Sequence, residues 1–201
     1  MPRTTPGTTL PRHAISLSQF VAFVGTAGEQ RYQLVTSMDE PYSPIRDPYA
    51  RIRRAIKNGR RTGQDHTHLN LALAQCRKEM KSHYAEISKG WLRFVNDRDF
   101  TAMIDVSPGR WETANLAVRV TPDLAVEQPD GTVDAIKLHL LADPIKPRVA
   151  ELMVWLMQQT MAQTCPGAKA VVLDVRRSAA HTALPQRGPR YQTWLVTSPT
   201  P

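Results

Sequence analysis

The sequence predicts an α+β fold in which helices flank a central mixed, mainly antiparallel sheet, preceded by an N-terminal helical part. Two adjacent β-prone runs within residues 114–140 predict a β-hairpin. An apolar stripe at helical spacing in residues 67–89 predicts a long helix before it. The apolar run at 170–175 predicts a strand buried on both faces. Because a helical segment precedes this strand, it can add parallel to the sheet.

The turn of the hairpin fixes which residues face each other. Residues 129–131, Pro-Asp-Gly, separate the two β-prone runs. A three-residue loop of this kind forms a type I turn followed by a left-handed residue, a position that suits glycine. Gln128 then faces Thr132, and Asp123 faces Lys137. A two-residue loop would shift the pairing by one residue and put Asp123 and Lys137 on opposite faces.

Alternation of side chains assigns the two faces of the hairpin. The face that we expect to be buried carries Leu124, Val126, Asp134, Ile136, Leu138 and Leu140. The other face carries Asp123, Ala125, Glu127, Val133, Ala135, Lys137 and His139. The second face holds the paired Asp and Lys and is therefore the candidate site.

The N-terminal region is predicted to contain little regular structure. Residues 1–13 are rich in Thr, Pro and Arg and are expected to be flexible. Residues 17–24 place apolar side chains on one face of a short helix. Residues 30–35 fit either a strand or a continuation of that helix. Three prolines within residues 37–48 predict an extended connector.

A helix rich in basic residues follows Pro48 and is predicted to end at Gly59. Residues 51–61 contain six basic side chains and no acidic one: Arg51, Arg53, Arg54, Lys57, Arg60 and Arg61. Clustered Lys and Arg bind nucleic-acid phosphates without sequence-specific geometry. The alternative is a solvated helix face whose charges pair with acidic residues Asp39, Glu40 or Asp47.

The long helix at 67–89 has an N-cap candidate in Asp65 and is predicted to end at Gly90. Cys76 lies in its apolar stripe and is interpreted as a core residue. His66 and His68 do not share a helix face, so we do not predict a metal site from them. The further predicted elements are short strands at 91–95, 100–106 and 114–120, a helix at 147–163, the strand at 170–175 and a final strand at 191–197. We divide the chain into a flexible segment 1–13, a helical part 14–90 and a sheet-containing core 91–201, the last two in one domain.

Composition and charge narrow the class of protein. The chain has 201 residues, 41% of them apolar, and a net charge of +8, which permits a core and favours nucleic acid as partner. No apolar run approaches the roughly 18 residues that span a bilayer, and the N-terminus lacks a signal-peptide pattern. The two cysteines form neither a disulfide framework nor a zinc motif. We expect a cytoplasmic protein with no membrane partner, and the Arg-, Ala- and Pro-rich composition is typical of bacterial or phage sequences.

One segment resembles a known family. VTPDLAVEQPDGTVDAIKLHL, followed by a helix and then AVVLDV, resembles the core of the PD-(D/E)xK nuclease superfamily, which includes RecB-type and many restriction nucleases. Pro122-Asp123 matches the first motif element and Lys137 the last. The position two before the lysine, acidic in the family, is Ala135. The resemblance covers about residues 114–176 and implies a restriction-endonuclease-like sheet.

The resemblance implies a metal site with Asp123 as ligand. Mg²⁺ would activate water, and Lys137 would orient that water or neutralise the phosphate. Mg²⁺ prefers octahedral oxygen ligands, and Ala135 leaves Asp123 without an assured second carboxylate. Glu127 lies four residues along the same strand, about 13 Å away at about 3.3 Å per residue, which is too far for one metal ion.

Helical residues would have to complete such a site. Glu79, Glu86 and Glu151 are the carboxylates that could substitute for the missing acid. Gln158 occupies the place of a glutamine that some RecB-like members carry on the following helix.

We therefore expect a nuclease-like protein that binds nucleic acid, DNA above all, and whose metal site is lost or rearranged. One alternative is an active Mg²⁺-dependent DNA nuclease that uses Asp123 and Lys137. Another is a non-catalytic protein-interaction subunit, which salt bridges within the basic cluster would favour. Without a metal, Asp123 and Lys137 would form a cross-strand ion pair.

Overall fold

The computed structural model of the chain describes residues 15–25, 47–113 and 117–182. Three predicted features lie outside these described residues: the flexible segment 1–13, the segment 30–35 and the final strand 191–197. Most of the predicted connector 37–48 also lies outside them.

The described residues form a mixed α+β structure with helices against β-sheet, as the sequence predicts, but the strands form two sheets and not the one central sheet that is predicted. The strands are β1 (Ile15–Ser16), β2 (Ala102–Ile104), β3 (Gly109–Glu112), β4 (Ala117–Val120), β5 (Leu124–Glu127), β6 (Val133–His139), β7 (Lys169–Asp174) and β8 (Ala179–His181). The helices are α1 (Leu17–Gly25), α2 (Ala50–Thr62), α3 (Asp65–Ala74), α4 (Lys81–Asn96), α5 (Pro147–Gln159) and α6 (Met161–Thr164). Single 3₁₀ turns lie at Lys78–Met80 and Val175–Arg177.

The larger sheet has the strand order β2-β5-β6-β7-β8. Strands β6 and β7 are parallel and the other neighbours are antiparallel. The predicted hairpin register is confirmed, because Ala125 pairs with Ala135 and the Gln128 N–H donates to the Thr132 carbonyl at 2.7 Å. Gly131 has the predicted left-handed conformation, with φ of 79°.

The smaller sheet has the strand order β1-β4-β3. Its β3–β4 pairing continues the β2–β5 pairing of the larger sheet, because both antiparallel pairs have the same register: Ile104 lies opposite Ala125, and Gly109 lies opposite Val120. The chain segments between the paired strands, 105–108 and 121–123, therefore lie at the junction of the two sheets. Asp123 belongs to this junction, immediately before β5.

Helices cover both faces of the larger sheet. Residues of α1 and α5 pack in one apolar cluster with Ala125 and Ala135. Residues of α2, α3 and α4 pack in a second cluster with Leu124 and Ile136. The prediction of one buried hairpin face is therefore only half right, because Ala125 and Ala135, on the face expected to be open, have 0% exposure. Short side chains on this face let helix α5 approach the sheet closely.

The prediction of one helix over 67–89 is wrong. Helix α3 ends at Ala74, Arg77 is extended, and α4 starts at Lys81. Gly90 does not end α4, and residues 91–95 are helical and not a strand. A Cβ at Gly90 would lie 1.9 Å from the Val175 carbonyl oxygen, so this glycine permits close packing of α4 on the chain after β7.

Two further predicted boundaries differ from the structure. The helix predicted over 147–163 divides at Thr160, whose hydroxyl donates to the carbonyls of Leu156 and Met157. The strand predicted over 114–120 is described from Ala117, and β3 precedes it as a separate strand. Among the described residues, no helix is both long enough and apolar enough to cross a lipid bilayer.

Candidate functional site

Asp123 and Lys137 meet where the sequence predicts. The Asp123 N–H donates to the Ile136 carbonyl at 2.8 Å, which extends the β5–β6 pairing. Lys137 Nζ lies 3.3 Å from Asp123 Oδ2 and donates to the Thr121 carbonyl at 3.0 Å. The Leu138 N–H also donates to Asp123 Oδ2, at 2.9 Å. The carboxylate is thus fixed by a lysine and a backbone donor together.

A third donor comes from the basic helix α2. Arg53 Nε lies 3.4 Å from Asp123 Oδ1, and Arg53 Nη1 lies 2.6 Å from Asp47 Oδ2. Asp47, Arg53, Asp123 and Lys137 therefore form a connected and charge-balanced group, which we call the ion-pair cluster. Asp123 has 8% exposure, so these contacts are only partly screened by water.

The cluster does not present the open carboxylate oxygens that Mg²⁺ requires. Both oxygens of Asp123 contact cationic or N–H donors. Ala135, at the position of the missing acid, is buried in the apolar cluster beneath α5. In the part of the chain that the structure describes, no group of three or more His, Cys, Asp or Glu side chains could hold a metal ion. Binding of Mg²⁺ at Asp123 stays a prediction, and it would require Arg53 to release the carboxylate.

The other candidate carboxylates are engaged or exposed elsewhere. Glu86 pairs with Arg176, and Glu79 is exposed in the 3₁₀ turn before α4. Glu127 lies at the far end of β5, where its carboxylate accepts from the Thr101 hydroxyl at 3.3 Å. Glu151 and Gln158 both lie on α5, Glu151 half-buried and Gln158 exposed.

The predicted basic helix is present over Ala50–Thr62, but Gly59 does not end it: Gly59 is a buried helical residue, and Gly63 in the left-handed conformation is the C-cap. The charges of the helix divide into two groups. Arg53 and Arg60 flank the buried face and reach acids, Arg60 Nη1 lying 3.5 Å from Asp65 Oδ2. Arg51 donates to the neutral side chain of Gln75 at 2.7 Å. The alternative of a helix whose charges pair with acids is therefore right for some of the basic residues of α2, namely Arg53 and Arg60.

The second group faces solvent. The buried residues of α2 are Ile52, Ala55, Ile56 and Gly59. At about 100° per residue, Arg54, Lys57 and Arg61 lie opposite them, and we call these three residues the outer basic face. Arg54 is exposed and Lys57 half-buried, and within the described residues their side chains have no ion-pair or hydrogen-bond partner. Arg61 Nη2 lies 3.7 Å from Oδ1 of a fully exposed Asp105, a contact that water screens strongly.

Sequence reasoning missed the acid at the end of β7. Asp174 has 1% exposure and accepts from the Ile145 N–H at 3.3 Å and from Arg177 Nη1 at 3.2 Å. Its signal in the sequence is an acid at the end of an apolar strand, followed by Arg176 and Arg177. Because it holds the connector before α5, we assign it a structural role.

Asp65 has a different role from the predicted helix cap. It is the first residue of α3, is buried and accepts from Trp91 Nε1 at 2.8 Å. Cys76 lies between α3 and the 3₁₀ turn and not in a helical stripe, and it is half-buried against the apolar cluster beneath α2 and α4, so its interpretation as a core residue is only partly right. Cys165 is buried, and this burial raises the pKa of its thiol.

Comparisons with known proteins do not assign this chain to a family. No protein-family model matches the sequence, and a comparison with curated proteins found no match. Function is therefore inferred from the residues themselves.

Proposed function

We propose that this protein binds nucleic acid, DNA above all, through phosphate contacts from the outer basic face of α2. In this proposal the core is restriction-endonuclease-like but non-catalytic, and Asp123 and Lys137 form a structural ion pair in place of a metal site. The observation that carries the proposal is the division of charge on α2. Arg53 and Arg60 are tied to buried acids, whereas Arg54 and Arg61 are exposed and Lys57 is half-buried on the side of α2 opposite its buried residues.

The outer basic face suits a phosphate backbone. From Arg54 to Arg61 the helix rises by seven residue steps, which is about 10 Å at about 1.5 Å per residue. Phosphates recur along each strand of B-DNA at about 3.4 Å of helix axis, so one helix face of this length can contact several of them. Backbone contacts of this kind position a protein without reading sequence.

The order of elements supports the nuclease-like core. A hairpin with Asp on its first arm and Lys on its second is followed by helix α5 and by β7, parallel to β6. This is the order of elements in the family that the sequence resembles. The apolar burial of Ala135 and the engagement of both Asp123 oxygens support a core without catalysis.

The test compares binding and cleavage on the same preparation. We expect the protein to bind a labelled DNA duplex in EDTA, and to leave supercoiled plasmid intact in Mg²⁺ or Mn²⁺. Nicking that requires metal and disappears in Asp123→Asn would instead establish the Mg²⁺-dependent nuclease. A protein that neither binds DNA nor cleaves it would overturn the proposal and leave the interaction subunit as the remaining alternative.

A further inference from the structure

Two arginines lie directly opposite each other on the small sheet. Arg110 of β3 and Arg119 of β4 are Cα partners, and both side chains are exposed. Opposite residues of an antiparallel pair share one face of the sheet, and like charges in this position are destabilising. The pair is therefore unfavourable unless an anion compensates its charge.

The contacts of Gln163 show that this pair is a close one. Its side-chain carbonyl accepts from the Arg110 N–H at 2.8 Å, and its amide donates to the Arg110 carbonyl at 3.1 Å. Both backbone groups of Arg110 therefore point away from β4. Arg110 and Arg119 form a non-hydrogen-bonded pair, for which the Cα atoms lie only about 4.5 Å apart.

One acid compensates part of this charge. Glu112, two residues along β3, forms an ion pair with Arg110. The Arg119 side chain has no ion-pair or hydrogen-bond partner within the described ranges. Its neighbours Val118 and Val120 point into the apolar cluster beneath α1 and α5, so the Arg119 side chain projects from the opposite face of the sheet. The pair keeps one excess positive charge on an open surface.

We infer that Arg110 and Arg119 bind a phosphate group, namely a phosphate of the nucleic acid held by the outer basic face. Guanidinium groups match phosphate oxygens in a bidentate geometry, and a bound phosphate removes the repulsion between the two arginines. The C-terminal end of α2 touches the segment that leads into β3, through the contact of Arg61 with Asp105. This inference rests on the proposed function for the source of the phosphate.

The experiment measures duplex affinity against salt concentration for the wild type, Arg119→Gln and Arg119→Lys. Each lost phosphate contact lowers the slope of log K against log salt by about 0.9 in magnitude. We expect this loss in Arg119→Gln and a retained slope in Arg119→Lys, which keeps the charge. Lys169→Gln, an exposed charge at the start of β7, is the control and should leave the slope unchanged. Melting curves verify folding, and Arg119→Gln should be no less stable than the wild type.

A second arm separates this inference from the proposed function. Wild-type binding with a slope that Arg119→Gln does not alter would overturn the inference alone. If the wild type does not bind the duplex, the proposed function fails. Thermal melting with added inorganic phosphate then tests whether Arg110 and Arg119 bind phosphate at all. A phosphate-induced rise in Tm that Arg119→Gln abolishes would retain a site for free phosphate, whereas no rise would overturn the inference too.

Discussion

Lys137 Nζ, on β6, lies 3.3 Å from Oδ2 of Asp123, the residue immediately before β5. The same oxygen accepts the N–H of Leu138, and Arg53 from α2 approaches the other oxygen. The pair that resembles a nuclease motif is thus part of the packing between α2 and the sheet. Removal of one member of such an ion pair destabilises the fold, because the remaining charge is left buried without a partner.

Loss of the Asp123 charge should destabilise the protein. Asp123→Asn keeps an acceptor for the Leu138 N–H but leaves Arg53 and Lys137 without their shared anion. We expect a loss of about 2 kcal/mol, less than for a fully buried pair because both cations are partly exposed. Urea unfolding at neutral pH measures it, with exposed Asp143→Asn as control. Equal stability of the two variants would contradict a structural role.

An acid at residue 135, where the family that the sequence resembles carries one, should disrupt the core. Ala135→Asp would place a carboxylate among apolar side chains beneath α5, at a cost of about 3 kcal/mol or more. Ala180→Asp on β8 makes the same change at an exposed site and should cost less than about 1 kcal/mol. Chemical denaturation compares the two. A stable Ala135→Asp protein that gains metal-dependent nicking would refute this packing argument.

Gly90 should tolerate no side chain. Its added Cβ would approach the Val175 carbonyl oxygen to 1.9 Å, so Gly90→Ala must move α4 away from the segment after β7. We expect a loss of about 3 kcal/mol or more, although alanine is the better helix former. Thermal melting of Gly90→Ala beside exposed Lys89→Ala tests this. An unchanged or higher Tm for Gly90→Ala would show that α4 does not pack as described.

The two cysteines should differ in reactivity. Burial raises the pKa of Cys165 and shields its sulfur, so little thiolate forms there at mildly alkaline pH. Cys76 is only half-buried. We expect a thiol reagent to modify Cys76 first in the native protein and both cysteines at similar rates in urea. Faster native labelling of Cys165, measured by mass spectrometry of peptides, would argue against the position of α6.

Local patterns in the sequence predict the hairpin well. The turn at 129–131 contains the information for its register, because a three-residue loop with glycine in the left-handed position allows one pairing. The parallel addition of β7 follows from the helical crossover before it. These features depend on neighbouring residues, and the structure contains them as predicted.

Features that depend on distant contacts were not predictable in the same way. Gly90 resembles a helix terminus in sequence, and its packing against Val175 requires knowledge of the tertiary fold. The contact of Arg53 with Asp123 joins residues far apart in the chain. The sequence shows six basic residues on α2, but only the fold separates Arg53 and Arg60 from the outer basic face.

The central claim is that the outer basic face of α2 binds phosphates, and the salt dependence of duplex binding tests it most directly. The comparison is between the wild type, the triple variant Arg54→Gln/Lys57→Gln/Arg61→Gln and a control that neutralises exposed Lys89, Arg148 and Lys169. Three lost contacts should lower the slope of log K against log salt by about 2.7 in magnitude, at about 0.9 per contact. The control has the same net charge as the Arg54/Lys57/Arg61 variant, and we expect it to retain the wild-type slope. Equal slopes for the two triple variants would contradict the account, because binding would then follow net charge and not this helix face.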